Sequence, residues 1–163
     1  MRKRGYTAWG TALAAAVLGA PVAAAAGDRA GEGAGGGQQE CRRAFDHAVW
    51  EDMDSYNKRD AARYRAIIHR DMVTVGRKGN LYIGYDANVN PVLEQFKVPY
   101  EFSMPWTVTH TVVEDCKMGF AILDAHYLEP SHGIDRHYTI SLTLVREHGR
   151  WQVVKDTVTE VVA

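Results

Sequence analysis

An acid and an imidazole interrupt an otherwise apolar alternation in the second half of the sequence. Every second residue from position 118 gives Met118, Phe120, Ile122, Asp124, His126 and Leu128. Alternate residues of a β-strand share one face of a sheet, so Asp124 and His126 are expected on a face that is otherwise dry. A carboxylate beside an imidazole holds its tautomer and raises its basicity, which general acid–base catalysis requires.

The preceding strand supplies two further candidates for this site. If residues 115–117 form a tight turn, Trp106 lies opposite His126 and His110 lies diagonal to Asp124. Directly opposed residues approach to about 5 Å and diagonal ones to about 7–8 Å. A shift of register by one residue would turn these side chains to the other face of the sheet.

The roles expected within this site follow from residue type. We predict His126 as acid or base, Asp124 as its orienting partner, and Tyr138, opposite His126 across the next hairpin, as hydrogen-bond donor. The residues predicted to contact a ligand are Tyr56, Trp106, His110, Phe120 and Asp156. Three interpretations stay open: a structural role, either as a satisfied buried pair or at strand ends where the sheet curves into solvent; a ligand contact without catalysis; and catalysis.

No cofactor is predicted from the motifs in the chain. The sequence has no nucleotide-binding loop, nucleophile elbow or haem-attachment motif. His126, His132 and His137 are spaced six and five residues apart, which matches no compact zinc pattern. The expectation is therefore a site without a metal or another cofactor.

Four long strands and three helices must position these residues. Side-chain alternation predicts strands over residues 106–114, 118–129, 136–147 and 150–160. Apolar residues at helical spacing predict helices over residues 41–59 and 61–68, with Asp60 as N-cap of the second. A third helix begins at Asp86 or at Asn90, after a hairpin of short strands at 72–75 and 81–83.

Residues 1–26 have the layout of a secretory signal peptide. A basic start is followed by an Ala-rich apolar run and by small residues before Gly27. The run is too short and too rich in alanine for a membrane span. We expect cleavage near Ala26, a secreted or periplasmic protein, and no membrane association afterwards. Gly-rich residues 27–39 are expected to form a flexible leader, and residues 40–163 one domain.

Charge and cysteine content restrict the partners. Without residues 1–26 the chain has 16 Lys and Arg against 20 Asp and Glu, a net charge of about −4 with His neutral. A nucleic-acid partner is not predicted, because the chain lacks a basic stripe to neutralise phosphates. Cys41 and Cys116 form a disulfide candidate in an oxidising compartment. Two free thiols are equally compatible with the sequence.

Several short stretches, in their order, carry a family resemblance. They are Trp50 in the first helix, the break Asn57-Lys58-Arg59-Asp60, the hairpin from Asp71 to Gly84, and Gly149-Arg150-Trp151 before the last strand. In this order they resemble the nuclear-transport-factor-2-like superfamily, in particular its SnoaL-like members. The resemblance implies an α+β fold: a cone-shaped, strongly curved, mostly antiparallel sheet wrapped around three N-terminal helices, with an apolar cavity and commonly a homodimer.

The chain departs from the catalytic patterns of that superfamily at informative positions. The general base of ketosteroid-isomerase-like members corresponds to Gly76, which has no side chain to take a proton, so a steroid isomerase is not predicted. Scytalone-dehydratase-like members close the first helix with Ser-Tyr-Asp. Here Ser55-Tyr56-Asn57 places an amide at the position of the acid. A late-strand histidine of those members lies near His126.

Together these observations predict an exported domain whose cavity binds a small, largely apolar molecule. One hypothesis is a cofactor-independent lyase, isomerase or hydrolase that uses the His–Asp pair. The alternative is a non-catalytic ligand carrier or dimerisation module, so whether the chain is an enzyme stays open. A β-branched face of Thr107, Thr109, Thr111 and Val113 is predicted to pair with a second copy.

Overall fold

The computed structural model describes residues 32–162. The helices are α1 (Glu32–Asn57), α2 (Ala61–Ile67) and α3 (Tyr85–Gln95), and the strands are β1 (Ile68–Val75), β2 (Leu81–Ile83), β3 (Trp106–Glu114), β4 (Met118–Glu129), β5 (Ile134–Glu147) and β6 (Arg150–Glu160). A short 3-10 turn, Pro130–His132, joins β4 to β5. The predicted signal peptide and residues 27–31 lie outside the described residues. In the described part of the chain, none of the helices is long and apolar enough to span a membrane.

The six strands form one sheet in the order β2-β1-β6-β5-β4-β3. Neighbouring strands are antiparallel except β1 and β6, which are parallel. The pairing shifts register between Val108 and His110, between Thr143 and Leu144, and between Ile68 and Val73. Such irregularities let long strands bend. The three helices cover the inner face, so the predicted α+β cone is confirmed.

Helix α1 packs its apolar stripe against the sheet. Phe45, Val49 and Met53 are buried, and the ring of Phe45 meets Trp151 of β6 edge-on at 5.2 Å between centroids. The helix starts at Glu32, so the prediction of a flexible leader is wrong for residues 32–39. Each residue added to an existing helix gains one backbone hydrogen bond. The helix that packs on the sheet from Cys41 onward can therefore extend towards the N-terminus through residues 32–40.

Strand β4 lies unusually close to α1. A Cβ atom added to Gly119 would lie 2.6 Å from Cε2 of Phe45 and 2.7 Å from the carbonyl oxygen of Val112. Small residues therefore face the helix along β4, and Ala121 and Ala125 are fully buried. Apart from Leu123, the bulkier residues from Met118 to His126 are turned to the outer face.

This close approach explains why the predicted face of β4 is wrong. The buried residues of the strand include Gly119, Ala121, Leu123 and Ala125, so Asp124 and His126 lie on the outer face. Both sets of alternate residues in β4 are largely apolar. The prediction placed the set with bulkier side chains inside, whereas the close approach of α1 requires the set with smaller side chains there.

For His126 the predicted cross-strand partners are wrong by one residue, because β3 shifts register between Val108 and His110 and because the turn of residues 130–133 pairs Glu129 with Ile134. Trp106 and Tyr138 both lie opposite Ala125 rather than His126. Asp124 lies between Thr107 of β3 and Thr139 of β5. Tyr138 therefore faces inward, on the opposite side of the sheet from His126.

The predicted β-branched pairing face is not continuous. Thr111 accepts a hydrogen bond from Arg42 of α1 and Val113 packs against the core, so both face inward. Thr107 faces outward beside Asp124, because the register shift between Val108 and His110 reverses the alternation. Homodimer formation itself stays a prediction, which sedimentation at micromolar concentration would test.

Helix α2 is fixed to α1 by polar contacts. The carboxylate of Asp60 accepts hydrogen bonds from the backbone N–H groups of Ala62 and Arg63, each at 3.1 Å, as predicted for an N-cap. The guanidinium of Arg63 pairs with Glu51 and with Asp54, the latter at 2.8 Å. These contacts fix the second helix over the first.

A disulfide joins α1 to the turn between β3 and β4. Cys41 and Cys116 are bridged, with their Cα atoms 5.7 Å apart and 75 positions between them in the chain. The structure thus decides between the two alternatives that the sequence left open. The bridge fixes the start of the packed part of α1 to the outer strand pair.

Candidate active site

An apolar cavity of about 220 Å³ lies between the helices and the inner face of the sheet. Its volume lies below the usual range for ligand sites, which is roughly 300–1,000 Å³, so a bound molecule must be small. The apolar part of its wall consists of Met53, Ile68, Met72, Val92, Met104, Ile140, Leu142, Val153 and Val158. The polar groups in its wall are Asp52, Tyr56, Tyr64, Gln95 and Asp156.

Helix α1 contributes the first buried acid, Asp52. Only 8% of the residue is exposed, and burial raises the pKa of its carboxyl to about 7. Sequence reasoning missed this residue, although a signal was present. Position 52 follows Phe45 by seven and Val49 by three, which places the acid on the apolar stripe of the helix.

Strand β6 contributes the second acid, Asp156. It lies opposite Leu142 on the inner face, and its Oδ1 atom is buried without a hydrogen-bond partner among the described residues. Burial, followed by the charge of Asp52, raises the pKa of the Asp156 carboxyl to about 8. Within residues 32–162, neither Asp52 nor Asp156 forms an ion pair with a basic side chain.

The two acids line one cavity, and the pKa of each lies near neutral pH. Two carboxyl groups that share a dry site resist simultaneous ionisation, because each charge is poorly solvated and repels the other. At neutral pH, with pKa values of about 7 and 8, the pair retains at least one proton. One member can then accept a proton while the other donates one.

Two tyrosines place neutral hydroxyl groups at the same cavity. Burial raises the pKa of Tyr56 and of Tyr64 well above the usual range, and for Tyr64 the charges of Asp52 and Asp156 act in the same direction. Both phenols stay protonated at neutral pH. Each can donate a hydrogen bond to an oxygen of a bound molecule.

Asn57 positions one wall of the cavity. Its Nδ2 donates to the carbonyl oxygen of Met104 at 2.9 Å, and its Oδ1 accepts from the Met104 N–H at 2.6 Å. An ionised aspartate could accept but not donate here. The amide in the Ser55-Tyr56-Asn57 run therefore has a structural role, since it fixes the loop that carries Met104 to the cavity.

A wider depression adjoins the cavity. It measures about 470 Å³ and shares Tyr56, Gln95, Met104 and Val158 with the cavity wall. Tyr138 also lines it, together with Arg77 and Arg136. Both arginines pair with Glu160 at 3.2 Å, so their charges are partly neutralised. This depression, which we call the vestibule, adjoins the cavity along these four shared residues.

The fold of this chain is similar to that of known structures, although its sequence matches little. No family model and no curated protein matches the chain. Solved structures do, beginning with a ketosteroid isomerase-like protein from Erwinia carotovora atroseptica, which is 17% identical and has a TM-score of 0.63 over 74% of this chain and 96% of that one. A hexachlorocyclohexane dehydrochlorinase is 15% identical, with a TM-score of 0.65 over 77% and 88%.

A third structure completes the comparison. An NTF-2 like protein of unknown function from Shewanella oneidensis is 9% identical, with a TM-score of 0.63 over 72% of this chain and 98% of that one. The chain has the nuclear-transport-factor-2-like fold. The fold that the resemblance predicted is thus confirmed. Because this fold occurs in enzymes with different reactions and in proteins of unknown function, the reaction must be argued from the site.

The nuclear-transport-factor-2-like cone distributes the predicted site residues over both faces of its sheet. Tyr56 and Asp156 lie in the cavity wall, and Tyr138 lies in the vestibule wall. Trp106 packs half-buried against the core and does not line the cavity. His110 and Phe120 lie on the outer face, with their ring centroids 5.8 Å apart.

The predicted catalytic pair of Asp124 and His126 does not form inside the cone. Asp124 contacts Nε2 of His137, while Nδ1 of His126 lies 3.5 Å from Oδ1 of Asp135. The side chains of Asp124 and His126 are 47% and 48% exposed on the outer face. The prediction that this pair lines an internal cavity with Tyr138 is therefore wrong, for the packing reason given above.

Proposed function

We propose that the cavity binds a small, largely apolar molecule and that Asp52 and Asp156 transfer a proton within it. One observation carries this proposal: two buried acids without a basic partner in the described chain face the same apolar cavity. Acids with perturbed pKa values in an apolar pocket are typical of catalytic sites. The function supported best is a cofactor-independent lyase or isomerase.

The mechanism uses the two protonation states of the pair. The ionised carboxylate removes a proton from a carbon next to an electron-withdrawing group. The protonated acid and the hydroxyl of Tyr56 donate hydrogen bonds to the oxygen that becomes negative. Return of the proton to another carbon gives isomerisation. Departure of a leaving group from the neighbouring carbon gives elimination, as in a lyase.

A simple elimination probe tests whether the cavity contains a working base. In nitrobenzisoxazole, a base takes the ring C–H proton, the N–O bond breaks, a nitrile forms and the oxygen leaves as a coloured phenolate. The wild type should accelerate this reaction, and the rate should rise with pH through about 7 as one acid ionises and fall above about 8 as the second loses the proton that it donates. Removal of a positioned base typically costs about 100-fold or more.

Three variants make the probe specific. Asp52→Asn and Asp156→Asn retain side-chain size but remove the acid, and at least one of them should lose the acceleration. Asp46→Asn is the matched control, because Asp46 is exposed on the same helix. Equal rates in the wild type and in both cavity variants would overturn the catalytic assignment.

The ligand-carrier alternative has a different signature. A carrier would bind an apolar probe of cavity size, such as indole, without accelerating the elimination. Calorimetric titration with indole measures binding, and the elimination rate then separates the two functions. Met53→Trp should fill the cavity and abolish indole binding in either case, which locates the probe in the cavity. Binding without acceleration would favour the carrier.

Export is proposed from the sequence alone. The mature protein would begin near Gly27, after cleavage at the small residues before it. Mass spectrometry of protein recovered from the medium or the periplasm tests this proposal. An intact mass that includes Met1 to Ala26 would contradict it.

A further inference from the structure

The outer face of the sheet carries a group of metal-binding side chains. Asp124 and His126 of β4 and His137 of β5 each place one ligand atom within 4.8 Å of the other two. Linear spacing did not suggest this group, because Asp124 and His137 are 13 residues apart. We propose that Asp124, His126 and His137 form a surface binding site for a divalent first-row transition metal ion such as Zn²⁺.

Strand pairing holds the two histidines together. His126 and His137 are direct cross-strand partners, and their rings stack with centroids 4.4 Å apart and planes 7° from parallel. Both residues lie within the β4–β5 ladder, which pairs continuously from Met118 to Glu129. The strand pairing therefore holds the two histidines side by side before an ion arrives, so that only side-chain rotation remains, which lowers the entropic cost of binding.

Asp124 completes a set of two imidazoles and one carboxylate. It already contacts Nε2 of His137, so an ion would take the place of the hydrogen shared between them. Zinc accepts this ligand set at about 2.0–2.2 Å and leaves a fourth position for water. The half-exposed side chains can rotate to close the remaining distance, because 37–48% of each is open to solvent.

Asp135 is placed to support the site from outside the ligand set. Its Oδ1 atom lies 3.5 Å from Nδ1 of His126 and can accept a hydrogen bond from Nδ1–H. That bond selects the tautomer in which Nε2 is free to bind an ion. In the described chain neither Asp124 nor Asp135 pairs with Lys or Arg, so no basic side chain occupies either carboxylate.

Zinc titration of the full chain tests the proposal. Calorimetry, with competition by a zinc-binding dye, should give one Zn²⁺ per chain. His126→Ala and His137→Ala should each weaken binding by about tenfold or more, and Asp135→Asn should weaken it by roughly tenfold, as supporting residues do in other metal sites. His110→Ala is the matched control, because His110 is a histidine on the same face outside the group.

A spectroscopic readout identifies the ligands directly. With Cu²⁺, electron paramagnetic resonance should show coupling to two imidazole nitrogens in the wild type and to one in each single histidine variant. The site is independent of the cavity, so Asp52→Asn should leave Zn²⁺ affinity unchanged. Absence of Zn²⁺ binding, or binding that survives in His126→Ala/His137→Ala, would overturn the proposal whatever the result of the elimination test.

Discussion

The inner and outer faces of the sheet each carry a carboxylate, one in an apolar cavity and the other in contact with solvent. Asp156 points from β6 into a dry cavity, where burial and a second acid raise its pKa to about 8. Asp124 points from β4 to the outside, where 47% of its side chain is exposed and its partner is an imidazole. The first surroundings favour holding and moving a proton. The second favour binding a cation, because a hydrated, mobile carboxylate is free to become a ligand.

The disulfide joins α1, which carries Asp52, to the turn before β4, which carries Asp124, and its removal should have the largest effect on stability. Closing a loop with 75 positions between the cysteines contributes roughly 4 kcal/mol in the chain-entropy model. Cys41→Ala/Cys116→Ala should therefore lower the free energy of unfolding by roughly 2–5 kcal/mol, as measured by urea denaturation. Reduced wild type is the control. An unchanged unfolding midpoint in both would show that the two faces are held together without the bridge.

The pH dependence of stability should separate the inner acids from the outer one. The pKa of Asp52 is about 7 in the folded protein against about 3.9 unfolded, so the folded state binds more protons between these values. Stability from this group is therefore complete below about pH 4 and is lost as the pH rises through 7. Replacing the acid with an amide removes this loss.

Asp52→Asn should gain stability over the wild type as the pH increases. The gain should reach on the order of 2–4 kcal/mol at about pH 8 and shrink towards pH 4, as measured by urea unfolding at several pH values. Asp124→Asn, on the outer face, should show no such rise. A similar pH-dependent gain in both variants would break the comparison between the two faces.

Packing tightness should also differ between the faces. Gly119→Ala would place a methyl group against Phe45 on the inner side, which should destabilise the protein by roughly 1–3 kcal/mol in thermal or urea unfolding. Gly36→Ala is the control, because nothing lies within 4 Å of a Cβ atom there and the change favours the helix. Equal stabilities of the two variants would contradict the close approach of α1 to β4.

The smallest expected effect sharpens the assignment of the inner site. Tyr56→Phe removes one neutral hydroxyl from the cavity wall and should slow the elimination probe by roughly fivefold, the value of one hydrogen bond of about 1 kcal/mol. Tyr82→Phe, at the vestibule, should leave the rate unchanged. A slower rate in Tyr82→Phe alone would move the reacting molecule from the cavity to the vestibule.

Local patterns in the sequence predicted most of the elements. Strand alternation placed β3, β4 and β6 at their observed bounds, and Asp60 was correctly identified as the cap of α2. The start of α3 was less certain. The helix begins at Tyr85 and contains Pro91, near the Asp86 alternative and away from Asn90. These features depend on hydrogen bonds and side chains within a few residues, so neighbouring positions carry the information.

The internal site was only partly predictable. Tyr56 and Asp156 were identified as ligand contacts and lie in the cavity wall. Asp52 was missed, although an acid on the apolar stripe of α1 is the same kind of irregularity as an acid on an apolar strand face. That irregularity indicates that an acid is buried, but it does not show which other acid shares the site.

The sequence alone determined most of the helices and strands and their order, because these follow from local periodicity and caps, while the α+β cone was predicted from the family resemblance. Only the tertiary structure decided which face of β4 is internal, since both are apolar and the approach of Phe45 to Gly119 makes the choice. The same packing turned Asp124 and His126 outward to meet His137, and it brought Asp52 and Asp156 to one cavity across 104 residues of chain. Pairings over such separations depend on how elements pack, which no single stretch of sequence encodes.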